Sequence, residues 1–492
     1  MNPVQPAETA PADGLSATRP RPILLTSGTG CDPNRGTNLG QANYSYAFVA
    51  RQFTRMLEAD FELRPVAAPA AAPPGPDGNG SPVAAHLGFR PPHEFELVPG
   101  VKNVLIPAWE FPEIPRAPWV TDPRQDWART ANDCDLILQL CEFTREAFER
   151  GGVTTPMAVI PVPVAPEYFE VDDWRANHEI VIETPALVLG AKRAEGSQHS
   201  HRDPTTTALP AASGGSSVWI RSARSIYQRC VHPLVPVWAE RGVKAGLREA
   251  RRQRVLTRHG PVQRVDQISL SGVVFTTVFN PFDRRKNWED LLSAWNAVLG
   301  DQEGVTLVLK LVGNDPSGID EVLSRCQALD LQRGGRLILL TGFLTDAQMV
   351  DLARATTWYV TPTRAEGACL PLMQWLAAGR PAVATCHTAM RDYFSDAQGL
   401  VVESHPEPCP WPHDPSQVFR TTWQRTVWSS LAEQLRLAHH MAVHDPRRYA
   451  GLSQAARQVS RERHHPSVVG PRLRRQLRDL VNASSPVPNP GA

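Results

Sequence analysis

Short apolar runs alternate along this chain with segments whose apolar residues recur every three or four positions. Ile23-Leu24-Leu25-Thr26-Ser27 has the length and continuity of a buried strand. A loop carrying Gly28, Gly30, Gly36 and Gly40 follows, then a segment with Tyr46, Val49, Ala50, Phe53, Met56 and Leu57 at helical spacing. Strand, glycine loop and helix form the opening unit of a parallel α/β sheet. Asn103–Ile106, Leu136–Leu140 and Met157–Val162 read as further strands, with Thr144 predicted to cap a helix that stops at Gly151-Gly152. The Ala/Pro/Gly-rich stretch Ala67–Pro82 reads as a flexible loop.

The pattern breaks after residue 188. Leu189–Ser217 is rich in Ser, Thr, Pro and Gly and predicts disorder, and Trp219–Arg264 carries 11 Lys/Arg against Glu240 and Glu249. That basic stretch suits either a solvated linker helix or peripheral contact with an anionic membrane face. Alternation resumes at Ser271. Val273–Val278, Val305–Val312, Leu337–Leu340, Trp358–Val360, Ala382–Thr385 and Leu400–Val402 read as strands of a second parallel sheet. Asn287 is expected to cap a helix with Glu289 and Asp290 in its first turn. The predicted organisation is a disordered tail (1–21), an α/β domain (22–188), an insert and linker (189–264), a second α/β domain (265–465) and a terminal helix (466–492).

Composition narrows the function classes. Lys plus Arg is 51 and Asp plus Glu is 50, a balance that argues against a protein built to coat nucleic acid. Eight cysteines include no Cys-x-x-Cys pair and several lie in apolar runs, which predicts reduced thiols and a cytoplasmic chain. No run reaches the roughly 18 uncharged apolar residues of a membrane span, and Met1–Arg21 lacks the apolar core of a secretory signal.

The candidate chemistry concentrates in Thr361–Thr385, TPTRAEGACLPLMQWLAAGRPAVAT. A strand delivers the chain to Glu366-Gly367 at the carboxyl edge of the sheet, where open α/β sheets bind ligands. Leu370-Pro371 then opens a helix whose outward N–H groups suit a phosphate, and Gly379 stops it. An ionised carboxylate accepts hydrogen bonds only, which suits sugar hydroxyls. From the residues alone, a ligand-binding Glu366 and an exposed glutamate at a plain turn are both open. The second segment, VVFTTVFNPFDRRKNW (Val273–Trp288), ends in Arg285-Lys286 before a helix.

These two segments resemble the signature of retaining GT-B glycosyltransferases, specifically family 4 of the group 1 glycosyl transferases. Glu366, Gly367, Leu370, Pro371, Ala378, Gly379 and Pro381 match its EGxxLPxxEAxAxGxPVV pattern, and Gln374 stands where the family has a second Glu. The resemblance implies two Rossmann-like domains facing a cleft, with an acceptor-side first domain and a nucleotide-sugar-binding second one. It implies Glu366, Lys286, Arg285 and Glu110 as candidate catalytic residues, Glu366 on the sugar and Lys286 with Arg285 on the diphosphate. Gly367, Ala368, Cys369 and Leu370 would support phosphate or sugar, and Gln374 would touch ribose. Thr341-Gly342-Phe343-Leu344 would cradle the base, and Gly28 to Gly40 would approach the diphosphate from the other domain. Many members carry a further Arg near Asn280. Trp109-Glu110 resembles an element of some bacterial members and would orient an acceptor hydroxyl; His387, after the Ala382–Thr385 strand, would face the cleft and carries less weight. The helix after Pro466 would cross back to the first domain.

The implied reaction moves a sugar from a nucleotide-diphosphate donor to a hydroxyl acceptor, a glycan or glycolipid, with retention and without a metal or other cofactor. The implied setting is bacterial cell-surface polysaccharide or glycolipid assembly on the cytoplasmic face of the membrane. The alternative is a non-catalytic nucleotide-sugar-binding or scaffold protein whose site has decayed at Gln374 and Asn280. A dinucleotide oxidoreductase is disfavoured, because the glycine loop has no compact Gly-x-Gly-x-x-Gly. Asp133-Cys134-Asp135 precedes a strand instead of following one, which argues against a metal role.

Overall fold

The computed structural model of the protein describes residues 21–28, 44–69, 83–116, 123–189, 262–313, 315–329, 335–411 and 420–483. A parallel sheet contains β1 (Ile23–Gly28), β2 (Glu62–Pro65), β3 (Val83–Phe89), β4 (Lys102–Leu105), β5 (Leu136–Gln139) and β6 (Met157–Val159). Its order is β2-β1-β3-β4-β5-β6. Among the described residues, four α-helices belong to this part of the chain: α1 (Tyr44–Leu57), α2 (Trp127–Asn132), α3 (Glu142–Arg150) and α4 (Pro166–Phe169).

The central strand β3 and the edge strand β2 escaped the apolar pattern. β3 reads VAAHLGF, and His86 at its middle hides it. That imidazole is buried, with Nε2 2.8 Å from Ser27 Oγ and Nδ1 3.1 Å from Asn103 Oδ1, so the two flanking strands satisfy it. Burial pulls its pKa down, which keeps it neutral in the core. The predicted cap of α3 also shifts. Cys141 is the N-cap, its Sγ accepting from Thr144 N at 3.4 Å, while Thr144 sits inside the helix with its hydroxyl on Trp109 O.

A second sheet holds β7 (Ile180–Leu189), β8 (Gln263–Leu270), β9 (Val273–Phe279), β10 (Val305–Leu311), β11 (Arg336–Leu340), β12 (Trp358–Thr361), β13 (Ala382–Thr385) and β14 (Gly399–Val402). The order is β14-β13-β12-β9-β10-β11-β7-β8, with β7 and β8 antiparallel on an otherwise parallel sheet. β7 therefore pairs within the second sheet, although a boundary after 188 groups it with the first. The tail 1–20 and residues 190–261, expected to be disordered or basic, lie outside the described residues.

Helices α5 (Trp288–Leu299), α6 (Pro316–Ala328), α7 (Asp346–Ala355) and α8 (Leu370–Ala377) connect the parallel strands. The strands β9, β10 and β11 are nearly continuous apolar runs buried along their length, as a sheet covered on both faces requires. A hairpin of β15 (Ser404–Pro410) and β16 (Arg420–Thr426) follows β14. Its prolines 406, 408 and 410 occupy alternate positions, so the missing N–H groups share one edge and the ladder survives.

Three helices end the described chain: α9 (Trp428–His444), α10 (Pro446–His464) and α11 (Pro466–Asn482). The chain crosses between domains twice. Val164 N donates to His464 O at 2.9 Å, and Arg457 donates to Val171 O at 2.7 Å. α11 then packs on α1, where Arg474 reaches Met56 O at 3.0 Å and Arg478 pairs with Asp60 at 2.7 Å. One apolar cluster runs through both sheets by way of Val164, Tyr168 and Phe169. Among the described residues, no helix is long and apolar enough to cross a membrane.

Candidate active site

The carboxyl end of β9 runs into a turn built by its own side chains. Asn280 Oδ1 accepts from Phe282 N at 3.0 Å, and Asp283 Oδ1 accepts from Arg285 N at 3.1 Å, starting a short 3-10 turn over Arg284–Lys286. Asn287 then adopts a left-handed backbone with φ 52°. It occupies the cap position of α5 as expected, but its side chain does not cap. Instead Nδ2 donates to Pro362 O at 3.2 Å and Oδ1 accepts from Arg364 at 2.9 Å. Arg364 N and Thr363 Oγ1 both donate to Arg285 O, at 2.7 and 3.0 Å. The loop bearing the two cations is thereby tied to the loop bearing Glu366.

The two cations meet three carboxylates. Lys286 Nζ lies 2.6 Å from Glu366 Oε1. Arg285 pairs with Asp283 at 2.7 Å and with Glu110 at 3.1 Å, and also donates to Ala365 O at 3.1 Å. Burial works against both charges, but the neighbouring carboxylates outweigh it and raise the Lys286 and Arg285 pKa values. Both remain cationic at every physiological pH. Glu110 comes from the first domain, so the pair with Arg285 crosses the cleft.

Glu366 is held by its backbone. Its N–H donates to Thr388 Oγ1 at 3.0 Å, and its C=O accepts from Ala389 N at 3.2 Å. His387 stands behind this contact, with Nε2 2.9 Å from Thr363 O and Nδ1 3.3 Å from Thr388 Oγ1. The carbonyl partner makes Nε2 the protonated nitrogen, leaving Nδ1 to accept from Thr388. Burial depresses its pKa to about 4. His387 is therefore a buried neutral support for the Glu366 loop, not the cleft-facing group expected from its position after β13. Nothing in Cys386-His387-Thr388 marked this network in advance, since its geometry depends on a left-handed Thr388 (φ 48°).

Gly367 lies in close approach to the first domain. A Cβ there would stand 3.1 Å from both N and O of Trp109 in the first domain. Ala368 O accepts from Tyr393 OH at 2.7 Å. Cys369 is the N-cap position of α8, with φ 58° and no side-chain cap bond, which leaves the first N–H groups of α8 without a side-chain cap. Burial pushes the Cys369 thiol well up, so it stays protonated. Gln374 is half-buried on α8, one turn past Leu370.

Across the cleft, Tyr46 OH accepts from Ala108 N at 2.8 Å, and Trp109 Nε1 donates to Glu113 O at 2.8 Å. Trp109 packs edge-on against Trp127 and Trp411, with centroids 4.6 and 4.9 Å away. The hairpin joins the two sides, an element the sequence did not foretell. Thr421 Oγ1 donates to Glu113 at 2.6 Å, while Gln424 N donates to Arg364 O at 2.8 Å and Arg364 stacks 4.7 Å from the Trp423 ring centroid.

Other sequence candidates sit apart from this ion-pair cluster. Gly28 ends β1 with φ 120°, and a Cβ there would meet Phe89 O at 2.7 Å; Gly40 lies outside the described residues. Gly342, Phe343 and Leu344 leave β11 at the same edge of the second sheet. A Cβ on Gly342 would be 3.1 Å from Pro185, Phe343 is 45% exposed and Leu344 is buried in the core. Asp135 of the set-aside acidic pair is bound to Lys102 Nζ at 2.9 Å and Asn103 N at 2.8 Å.

Residues 271–408 match a family model described as glycosyl transferases group 1. The match covers the strands and loops that carry Arg285, Lys286 and Glu366, so this domain is similar to that of group 1 glycosyltransferases. The fold is the two-domain GT-B arrangement. It is similar to a glycosyltransferase from Rickettsia africae, with 10% identity and a TM-score of 0.51 over 95% of this chain and 100% of the other. It is also similar to a sucrose-phosphate synthase from Thermosynechococcus elongatus, with 12% identity and a TM-score of 0.50 over 94% and 100%. No curated protein sequence matches the chain significantly.

Proposed function

We propose that this protein transfers a sugar from a nucleotide-diphosphate donor to a hydroxyl acceptor, with retention at the anomeric carbon. The observation that carries the reading is the Lys286–Glu366 contact at 2.6 Å, beside Arg285 and just ahead of the start of α8. Two fixed cations and a helix start without a side-chain cap are what a leaving diphosphate needs as negative charge builds on it. Donor phosphates replace Glu110 and Glu366 on the cations. Glu366, released from Lys286 but still held by its backbone, then accepts from sugar hydroxyls.

In the transfer step the bond from C1 to the phosphate oxygen breaks, and its electrons leave with the nucleoside diphosphate. The acceptor oxygen bonds to C1, and its proton passes to the departing phosphate oxygen. Glu110, across the cleft, orients the acceptor hydroxyl. Protein cations supply the charge that a metal would otherwise supply. Glycan or glycolipid assembly at a cytoplasmic membrane face is the setting the family resemblance favours.

Gln374 supports a second reading, a protein that binds donors without turnover, because an amide replaces the charge-assisted contact of a carboxylate with ribose. Thermal unfolding with UDP-, GDP- and ADP-sugars tests the first. A ligand at about 100 times its dissociation constant adds roughly 2.7 kcal/mol. One nucleotide sugar that stabilises the protein but neither Lys286→Ala nor Glu366→Ala is the expected result. Stabilisation by none overturns the proposal, and stabilisation without turnover on any hydroxyl acceptor favours the second reading.

A further inference from the structure

Lys310 lies on β10, 4% exposed, in a strand whose other side chains are apolar or threonine. Its Nζ donates to Leu311 O at 2.7 Å, and among the described residues no carboxylate pairs with it. A buried ammonium without a counter-charge is unfavourable unless some partner arrives. Burial alone pulls its pKa down to about 8, so it is still charged at neutral pH.

The position of this cation is informative. Val312 N donates to Phe279 O of β9, so the carbonyl of Leu311, one residue earlier, faces the opposite neighbour, β11. Lys310 Nζ follows that carbonyl into the notch between the ends of β10 and β11. Lys310 is in register with Leu340, and Thr341-Gly342-Phe343 follows directly. The sheet order is β12-β9-β10-β11, with Glu366 after β12 and Arg285-Lys286 after β9. Strands are spaced about 4.8 Å apart. With its diphosphate at the ends of β12 and β9 and its base beside Thr341-Gly342-Phe343, a nucleotide would span the end of β10, where Lys310 lies.

We propose that Lys310 reads the base of the donor nucleotide and selects one with a carbonyl oxygen at the position it faces. The inference rests on the nucleotide-sugar reading above. An ammonium donates only, so a carbonyl such as uracil O4 or guanine O6 satisfies it. The exocyclic amine that cytosine or adenine presents at the equivalent position is itself a donor and leaves the buried charge unmatched.

Binding of UDP, CDP, GDP and ADP to the full chain tests this without any variant. The expected result is a preference of at least about tenfold for UDP over CDP, for GDP over ADP, or for both. Lys310→Met, close in length and uncharged, is expected to abolish the preference by weakening the carbonyl-bearing member only. Lys310→Gln keeps a donor and is expected to retain part of it. Equal binding of both pairs by the wild type, a preference for the amine-bearing bases, or a preference unchanged in Lys310→Met overturns the inference while leaving the donor reading intact. An equal loss for all four nucleotides in the variants assigns Lys310 to the diphosphate and overturns it too. Binding of none by the wild type removes the nucleotide-sugar reading itself.

Discussion

The two sheets are built on the same principle but from different material. In the second sheet, β9, β10 and β11 are seven, seven and five residues long and apolar almost throughout, and each connects through a helix of at least ten residues. In the first sheet, β4 and β5 have four residues and β6 three, and a buried histidine interrupts β3. The difference follows the chemistry. On the proposed function, the second sheet presents the fixed cations and the helix start that a donor diphosphate would meet. The first contributes one loop, Trp109–Glu113, held by Tyr46, Thr144 and the hairpin residue Thr421.

That asymmetry is broken most severely at Lys286. Lys286→Ala is expected to lower kcat/KM by about 10²–10³, the usual loss for one electrostatic stabiliser of a transition state. Steady-state transfer to any competent acceptor reads it. A loss below tenfold would move the diphosphate site elsewhere.

Acid gives the next effect. His387 has its folded pKa depressed to about 4 from 6.5, so its contribution to stability is present above about 6.5 and is lost as pH falls towards 4. The span is about 3 kcal/mol. His464, also depressed to about 4, adds to the same window. His387→Gln should flatten part of this slope in denaturant titrations at pH 4 to 7; an unaltered slope would mean that His387 already titrates in the fold.

Glu110→Gln compares the two sides directly. Arg285 keeps Asp283 as a partner, so donor affinity is expected to hold or to tighten slightly as a competing carboxylate charge disappears. Turnover is expected to fall about 10- to 100-fold as the acceptor hydroxyl loses its ionised partner. Isothermal titration and initial rates on the same variant separate the two terms. A collapse of donor binding would assign Glu110 to the donor half and erase the division between the domains.

Much of this was legible in the residues, and the reasons are local. Long apolar strands, the proline at the start of α8 and Gly379 after it are one-dimensional signals, and Arg285, Lys286 and Glu366 lie beside them. The return of the helix after Pro466 to the first domain was implied by the family resemblance alone, and α10 before it was not anticipated. What was hidden depends on partners distant in sequence. His86 marks a strand only when Ser27 and Asn103 are beside it. Thr388 holds Glu366 only through a left-handed backbone. The hairpin β15–β16 spends three of its seven first-strand positions on proline, the residue that argues against a strand unless the paired edge is known.

Gln374 carries the smallest expected effect and the finest distinction. It departs from the family pattern at the second Glu and is half-buried on the helix that Glu366 precedes. An amide in place of a carboxylate keeps an acceptor for a ribose hydroxyl and gives up about 1 kcal/mol of charge assistance. Gln374→Glu should therefore tighten the donor about fivefold and leave kcat nearly unchanged, because the ribose contact is the same in ground and transition states. A large gain in kcat would mean instead that the natural glutamine had cost the site its chemistry. No change in affinity would mean that the ribose is bound from another part of the sheet edge.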